Sequence, residues 1–291
     1  MRYHGTVIRP PSEASSYILQ ITYGCSHNQC TFCGTYLDKP FQVRPINEVL
    51  EDIAMAGQRD PGIRRVFLAD GNALVLDTPS LVTILDTLAA TFPRLQRVNI
   101  YANAGDLLDK SDDELAMLRE KKLTIVYLGL ESGSDEVLQR IRKGITASEM
   151  VEGVQKAQRA GLRVSVIALL GIGGRELSQN HAEETGRVVT TMDPPYFSLL
   201  TLIPVPGTTL DRQTQRGEFQ LMQAEELLNE MRQLISHTGE MSRCIFRTNH
   251  ASNYLPLEGT LSRDKERLLR TLNEALARGP EALRPEFWRA L

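Results

Sequence analysis

Thr124-Ile125-Val126-Tyr127-Leu128-Gly129-Leu130-Glu131-Ser132-Gly133-Ser134 is the stretch on which the fold reading turns. Its first seven residues are short, apolar and rich in strand formers, so they predict a buried strand. Glu131-Ser132-Gly133-Ser134 ends that strand in a polar turn, and helical spacing follows over about 135–142 and 147–160, with Gly161 as a helix stop. The same alternation extends in both directions. Downstream, 162–170 reads as a strand running into Gly171-Ile172-Gly173-Gly174-Arg175-Glu176, then a helix through about 191 and a strand over 196–202. Upstream, strands fall over 17–23, 65–69 and 98–103. Helices lie between them, one opening at Pro45 and one capped by Ser111-Asp112-Asp113-Glu114. Six β-then-α units at roughly 30-residue spacing imply a parallel sheet with right-handed crossovers. The expectation is an α/β fold, a partial (β/α)6 TIM-like barrel over 1–210 with its core at 17–210. Residues 211–291 form a C-terminal α/β extension packing on the barrel. Periodicity alone does not separate this from a doubly wound open sheet. In either fold, functional residues belong at the carboxyl ends of the strands.

The chain has 291 residues and a formal net charge of −3, which gives no electrostatic footprint for nucleic acid. No apolar run reaches about 18 residues, so no spanning helix and no membrane partner are expected. Met1-Arg2-Tyr3-His4-Gly5 lacks the apolar core of a signal peptide. Three of the four cysteines are clustered, which argues against a disulfide framework and for a reducing, cytoplasmic setting.

That cluster is Gly24-Cys25-Ser26-His27-Asn28-Gln29-Cys30-Thr31-Phe32-Cys33-Gly34, with three thiols inside nine residues directly after the first strand. They can converge on a metal. Four protein ligands would close a structural zinc site, with His27 as the fourth, whereas three leave a position open for chemistry. Iron–sulfur clusters are held by thiolates at similarly short spacings. Other unusual residues collect at the remaining strand ends: Asp70-Gly71-Asn72, Asn103, Glu131-Ser132 and the glycines from Gly171. We read them as one active site. Duller roles stand beside that reading. Asp70 and Asn72 can cap a turn, Asn103 can satisfy a strand-end backbone group, and Glu176 can sit in a first helical turn for its dipole. Glu131, charged and directly after an apolar strand, needs a partner.

With these residues in view, the sequence over about 17–210 resembles the radical S-adenosylmethionine (radical SAM) family. Cys30-Thr31-Phe32-Cys33 matches the family's Cys-x-aromatic-Cys ending. The gap of four between Cys25 and Cys30 is one longer than usual, and it leaves the subfamily open. Asp70-Gly71-Asn72 falls where the family has a Gly-Gly-Glu-like segment on the methionine amine, with only Gly71 shared. Gly129 to Leu138 followed by Lys143-Gly144 is similar to the fourth-strand signature of the coproporphyrinogen oxidase and methylthiotransferase subgroup. Gly171 to Glu176 resembles the adenine-side motif, and Ile203-Pro204-Val205-Pro206-Gly207-Thr208 the sixth-strand exit. The resemblance implies a [4Fe-4S] cluster on Cys25, Cys30 and Cys33, with S-adenosyl-L-methionine bound at its free iron. Reductive cleavage then gives a 5′-deoxyadenosyl radical that abstracts hydrogen from a substrate. It also implies cofactor contacts from Phe32, Asp70, Gly71, Asn72, Asn103, Glu131, Ser132, Lys143, Gly171 and Pro204, and an electron donor such as flavodoxin or ferredoxin.

Beyond residue 210, Gln223 to Ser236 is an amphipathic helix with Leu227, Leu228, Met231, Leu234 and Ile235 on its apolar face. Arg243 to Thr248 reads as a strand, 263–277 as a charged helix, and Pro280 to Leu291 as a packed tail carrying Phe287-Trp288. Asn249-His250-Ala251-Ser252-Asn253-Tyr254 is polar and uncharged. It reads either as a substrate contact, with His250 and Tyr254 as candidate catalytic residues, or as an internal hydrogen-bond network. Cys244 is either a buried small hydrophobe or a candidate catalytic thiol near the substrate, one that donates a hydrogen atom or ligates the cluster region. About 16 residues precede the first strand and one cysteine is spare, so neither a cobalamin domain nor an auxiliary cluster is expected. With no basic appendage, the expected partner is a small molecule and not tRNA. Modification of a peptide or protein, and a non-catalytic zinc or iron–sulfur barrel, are the alternatives.

Overall fold

The computed structural model describes residues 2–290. The chain divides into two compact units. The first takes residues up to 28, 35–128 and 152–164; the second takes 29–34, 129–151 and 165 onward.

The first unit opens with β1 (Tyr17–Gln20), then a small antiparallel hairpin of β2 (Thr22–Tyr23) and β3 (Gln42–Val43). The α1 helix (Ile46–Arg59), β4 (Arg65–Ala69), α2 (Thr78–Thr91) and β5 (Arg97–Ala102) follow. Next come α3 (Ala104–Asp109), α4 (Asp112–Glu120) and β6 (Leu123–Glu131), whose last three residues belong to the second unit. β1 pairs with β4, β4 with β5 and β5 with β6, all in parallel. The strands form because their side chains are apolar on both faces: Val66, Phe67, Leu68, Val98, Ile100, Val126 and Leu128 are fully buried. α1 buries Val49, Ile53 and Ala56, one helical face, and packs beside α2. The expected cap on α4 is present. Ser111 Oγ accepts from Glu114 N at 3.1 Å, and Glu114 Oε2 accepts from Ser111 N at 2.8 Å. Ahead of β1, Glu13 is wholly buried and accepts hydrogen bonds from Asn99, Tyr127 and Ser16, so a charged residue in a proline-rich leader becomes part of the core.

The second unit contains α5 (Asp135–Arg140), the first residues of α6 (Ala147–Arg159), and most of β7 (Arg163–Leu170). It continues with α7 (Gly174–Met192), β8 (Tyr196–Thr201), α8 (Thr209–Gln215), α9 (Ala224–Ser236), β9 (Cys244–Arg247), β10 (Glu258–Leu261) and α10 (Lys265–Arg278). β7 and β8 are parallel, β8 and β9 are parallel, and β10 closes antiparallel on β9. α9 packs against both α7 and α10. Residues 211–290 therefore supply two further strands to the sheet and lie in the same unit as β8.

The tail differs from its expectation. Phe287 and Trp288 are 80% and 66% exposed and touch each other edge to face at 5.7 Å, so aromatic burial does not hold this segment. Arginines do. Arg284 Nη1 donates to the carbonyls of His250, Ala251 and Asn253, and Arg289 Nε to that of Ser252. Residue 291 lies outside the described residues.

Candidate active site

In the first unit, Cys25 is half-buried in the loop that follows β2. Gly71, with φ at +36°, lies directly against it: a Cβ there would collide with Gly24 O and come within 2.7 Å of Cys25 Cα. Asn72 holds the neighbouring residue from two sides, accepting from Ser26 N at 2.9 Å and donating to Ser26 Oγ at 2.8 Å. The same amide donates to Asp106, whose carboxyl is pushed up to about 6, chiefly by burial. Asn28, within the longer cysteine gap, adopts φ +35° and donates to Tyr36 O at 3.0 Å. Asparagine tolerates this left-handed geometry, so the position does not require glycine.

Asp70, expected at the cofactor, is instead wholly buried. It pairs with Lys39 Nζ at 2.8 Å and accepts from Gln20 Nε2 at 3.0 Å. A buried carboxylate with a matched ammonium is a structural clamp, and here it ties the segment after the cysteines to the end of β4. The backbone N of Asn103 donates to Asp106 Oδ2 at 2.8 Å, so this residue starts α3 with its side chain half-buried.

In the second unit, Cys30 and Cys33 close a turn, Cys33 N donating to Cys30 O at 3.2 Å. Between them, Thr31 donates its N–H to Ile141 O and accepts from Leu210 N, both at 2.9 Å. Gly34 has Val205 against its Cα: an added Cβ would lie 2.9 Å from Val205 Cβ and collide with a methyl. Phe32 and Pro204 are both half-buried. At the end of β6, Glu131 (φ +60°) and Lys143 form an ion pair at 2.9 Å, with side chains 12% and 10% exposed. Gly129 makes room for it, because a Cβ there would collide with Glu131 Oε1.

The two turns beyond β6 and β7 are braced from behind. Ser132 Oγ meets His181 Nδ1 at 2.8 Å and accepts from Ser134 N at 3.0 Å. Gly171 (φ +80°) donates its N–H to Glu230 Oε1 at 2.6 Å, and Ser178 Oγ donates to Glu230 Oε2 at 2.5 Å. His181 and Glu230 are fully buried, their nearest ring nitrogen and carboxylate oxygen 3.7 Å apart. Burial pushes His181 down to about 4 and Glu230 up to about 7. Between those values both are neutral, so this approach is not an ion pair. Neither residue was singled out from the sequence. The available signal was Glu230 itself, a carboxylate between Leu227 and Leu234 on the apolar face of α9. Nearby, a cavity of about 610 Å³ opens beside the β7 exit, bordered by Thr31, Ile141, Ile172, Leu210, Phe219 and Gln220. Glu176 pairs at the rim with Arg140 at 2.7 Å, an exposed pair of little energetic weight.

The C-terminal polar cluster forms a satisfied network. Asn253, fully buried, donates to Leu199 O and Thr248 O and accepts from Thr201 Oγ1 at 2.8 Å. Ser252 Oγ accepts from Thr201 N at 3.0 Å and meets His250 Nδ1 at 2.9 Å. Tyr254 OH donates to Glu286 at 2.5 Å, and Arg289 lies 4.0 Å from its ring. Cys244 is fully buried in β9, its thiol pushed up to about 12 by burial, and it is protonated at neutral pH.

None of the four cysteines is in a disulfide. Among the described residues no three metal-ligating side chains are gathered around a common point. The case for Cys25, Cys30 and Cys33 is their donor chemistry and their spacing along one loop. Soft thiols, half-exposed and fixed by their neighbours, fit an iron–sulfur cluster. No helix of the described residues is long and apolar enough to cross a membrane.

Comparison with known proteins accords with this geometry. The family model described as the radical SAM superfamily matches residues 19–186. The heme chaperone HemW of Bacillus subtilis is 23% identical over 212 residues, covering 69% of this chain and 54% of that protein. A tRNA-2-methylthio-N(6)-dimethylallyladenosine synthase of Alkalilimnicola ehrlichii is 25% identical over 210 residues, covering 68% and 45%. The chain spans about half the length of these relatives. The crystal structure of coproporphyrinogen III oxidase from Escherichia coli superposes with a TM-score of 0.58 at 14% identity, covering 76% of this chain and 51% of that one. It shares the α/β fold with a mostly parallel central sheet, the partial barrel that the sequence predicts. One relative is named for a tRNA product, so the comparisons give no support to excluding a nucleic-acid partner. The chain belongs to the radical SAM superfamily, whose enzymes use a [4Fe-4S] cluster and S-adenosylmethionine.

Proposed function

We propose that Cys25, Cys30 and Cys33 hold the cluster and that the enzyme abstracts hydrogen from a small molecule. The Glu131–Lys143 pair carries the reading. The amino-acid end of S-adenosylmethionine presents one ammonium and one carboxylate, and this pair offers one partner for each. Held together at 2.9 Å, the two side chains keep one another satisfied, and they can part to take a zwitterion with no buried charge stranded. Ser132 and Gly171 fix the adjoining turns through their bonds to His181 and Glu230, so the binding groups are preorganised. When bound, the cluster and S-adenosylmethionine supply one-electron reduction and a carbon radical, and a flavodoxin or ferredoxin supplies the electron. The cavity of about 610 Å³ supports a small substrate by its size. The net charge of −3 does not favour a polyanion. A thiolate cluster suits the reducing cytoplasm.

Anaerobic reconstitution of the full chain tests the reading. The expected protein is brown, carries about four irons, and releases 5′-deoxyadenosine when reduced. A colourless zinc protein, or iron loading that survives Cys30→Ala, removes it. Adding a cell extract filtered to small molecules should raise 5′-deoxyadenosine release. A rise given only by the tRNA fraction replaces the small substrate with RNA.

A further inference from the structure

Asn72 of the first unit lies just beyond β4 with both ends of its side-chain amide engaged. It is 1% exposed. Its Oδ1 accepts from Ser26 N at 2.9 Å, and its Nδ2 donates to Ser26 Oγ at 2.8 Å and to Asp106 Oδ1 and Oδ2 at 2.9 and 3.1 Å. Two partners exclude a swap of the amide's oxygen and nitrogen. A backbone N–H can only donate, so the oxygen must face Ser26 N. An ionised carboxyl can only accept, so the nitrogen must face Asp106. Asp106 is itself anchored in the first turn of α3, where its Oδ2 takes the N–H of Asn103 at 2.8 Å. The backbone of Asn72 is held in a turn, Val75 N donating to its carbonyl at 3.0 Å. The consequence falls on Ser26, the residue directly after Cys25. The Ser26 N–H is a few covalent bonds from the Cys25 sulfur, yet it is committed to Asn72.

We propose that Asn72, oriented by Asp106, is a positioning residue that withholds the Ser26 N–H from the cluster and so keeps the cluster a strong reductant. The inference rests on the reading of Cys25 as a cluster ligand. Hydrogen bonds to the sulfurs are one means by which a protein sets a cluster's potential. An N–H given to a thiolate or sulfide draws negative charge off the sulfur, so it favours the reduced cluster, which carries one electron more. Splitting a sulfonium with one electron asks for the opposite bias, because the reduced cluster has to give that electron up. The electron comes from an external one-electron donor, and no bond of Ser26, Asn72 or Asp106 forms or breaks as it enters. Asn72 suits the task because it grips Ser26 at two atoms, N and Oγ, so the peptide cannot rotate toward the sulfur without breaking both bonds. Gly71, packed on Gly24 O and Cys25 Cα, brings the two segments close enough for a short amide to reach.

Two measurements on the full chain test this at about pH 8, where Asp106, with its value of about 6, is ionised. In the apo protein, residue-resolved hydrogen exchange at the Ser26 amide should be about tenfold slower in wild type than in Asn72→Ala. Asp106→Asn turns an NH2 toward that of Asn72 and should lose the protection too. The double variant Asn72→Asp/Asp106→Asn exchanges the two roles, the new carboxylate accepting from Ser26 N and the new amide donating to it, and should regain it. After anaerobic reconstitution, a reductive titration followed by electron paramagnetic resonance reads the potential. Asn72→Ala should shift the equilibrium about fivefold toward the reduced cluster, the worth of one ordinary hydrogen bond. Asp106→Asn, which changes no side-chain size, should shift it the same way and carries this arm if Asn72→Ala loads no iron. Equal Ser26 exchange in wild type and Asn72→Ala overturns the clamp, whether or not a variant takes up iron. Protection lost with the midpoint unmoved or lowered overturns the redox role. A cluster that loads unchanged in Cys25→Ala would instead overturn the reading of that ligand.

Discussion

Gly71 is the residue on which the cysteine loop rests most directly. Its φ of +36° and its contact with Gly24 O and Cys25 Cα both exclude a side chain. Gly71→Ala should cost about 1–2 kcal/mol from the left-handed backbone and displace Cys25 as the clash is relieved. Iron analysis after reconstitution should show loading cut at least by half, with far-UV circular dichroism unchanged; full loading would show that the loop yields. Lys143→Ala leaves Glu131 nearly buried without its cation. The expected result is a roughly tenfold weaker S-adenosylmethionine affinity, about 1.4 kcal/mol, read by dialysis, and a further loss in Glu131→Gln/Lys143→Ala, which lacks both partners; unchanged affinity in either variant would remove the pair from the cofactor site. At this scale the sequence is informative where chemistry is concentrated. Glu131 announces itself as a charge after an apolar strand, and three thiols in one loop have few other uses. The pairing of Asp70 is not legible in the sequence, for a physical reason. Its partner Lys39 is 31 residues away in sequence, so nothing local says that the carboxylate is already spent.

Helices α7 and α9 carry opposed titrations. Folded, Glu230 holds its proton to about pH 7 against an ordinary 4.5, so its ionisation lowers stability as pH rises through that window. His181, down to about 4 from 6.5, does the reverse, and stability rises as pH climbs from 4 to 6.5. In the wild type the two slopes overlap between about pH 4.5 and 6.5 and largely cancel. Glu230→Gln removes one of them, so urea denaturation of the apo protein should show stability rising with pH there, at up to about 1.4 kcal/mol per unit. A profile as flat as wild type would mean that His181 does not titrate in the folded chain as its burial demands. Long periodic elements such as α7 and α9 were legible from spacing. β10 was not: Glu258-Gly259-Thr260-Leu261 has no strand signature, and it is a strand because β9 offers it an edge. α3 and α8, six and seven residues long, are too short for periodicity to register.

On the scale of the whole chain, the segment after residue 210 is part of the second unit's own core. β9 covers the edge of β8, Asn253 and Ser252 bond to Leu199 and Thr201, and α9 packs on α7. A chain ended at residue 222 would expose the edge of β8 and strip α7 of its partner, leaving unpaired strand backbone and open apolar surface. It should be recovered as aggregate, or as a monomer without a cooperative thermal transition. A soluble fragment with wild-type melting would show that the family-matched region stands alone. The sequence displays the six parallel strands through their period, but it does not say that the last third completes the same sheet, because that depends on pairing over about 50 residues of chain.

The two bonds of Thr31 also set a clock. Its amide is tied to Ile141 and its carbonyl receives Leu210, whereas no helix or strand encloses the backbone on either side of it. In deuterated buffer the Thr31 and Leu210 amides should therefore exchange on the slow timescale of the strands. The amides of Gln29 and Phe32 should exchange within seconds in the apo protein and slow when the cluster is installed. A loop of one connection would thus report metal arrival at some of its amides and global opening at another, which peptide-resolved exchange before and after reconstitution can read.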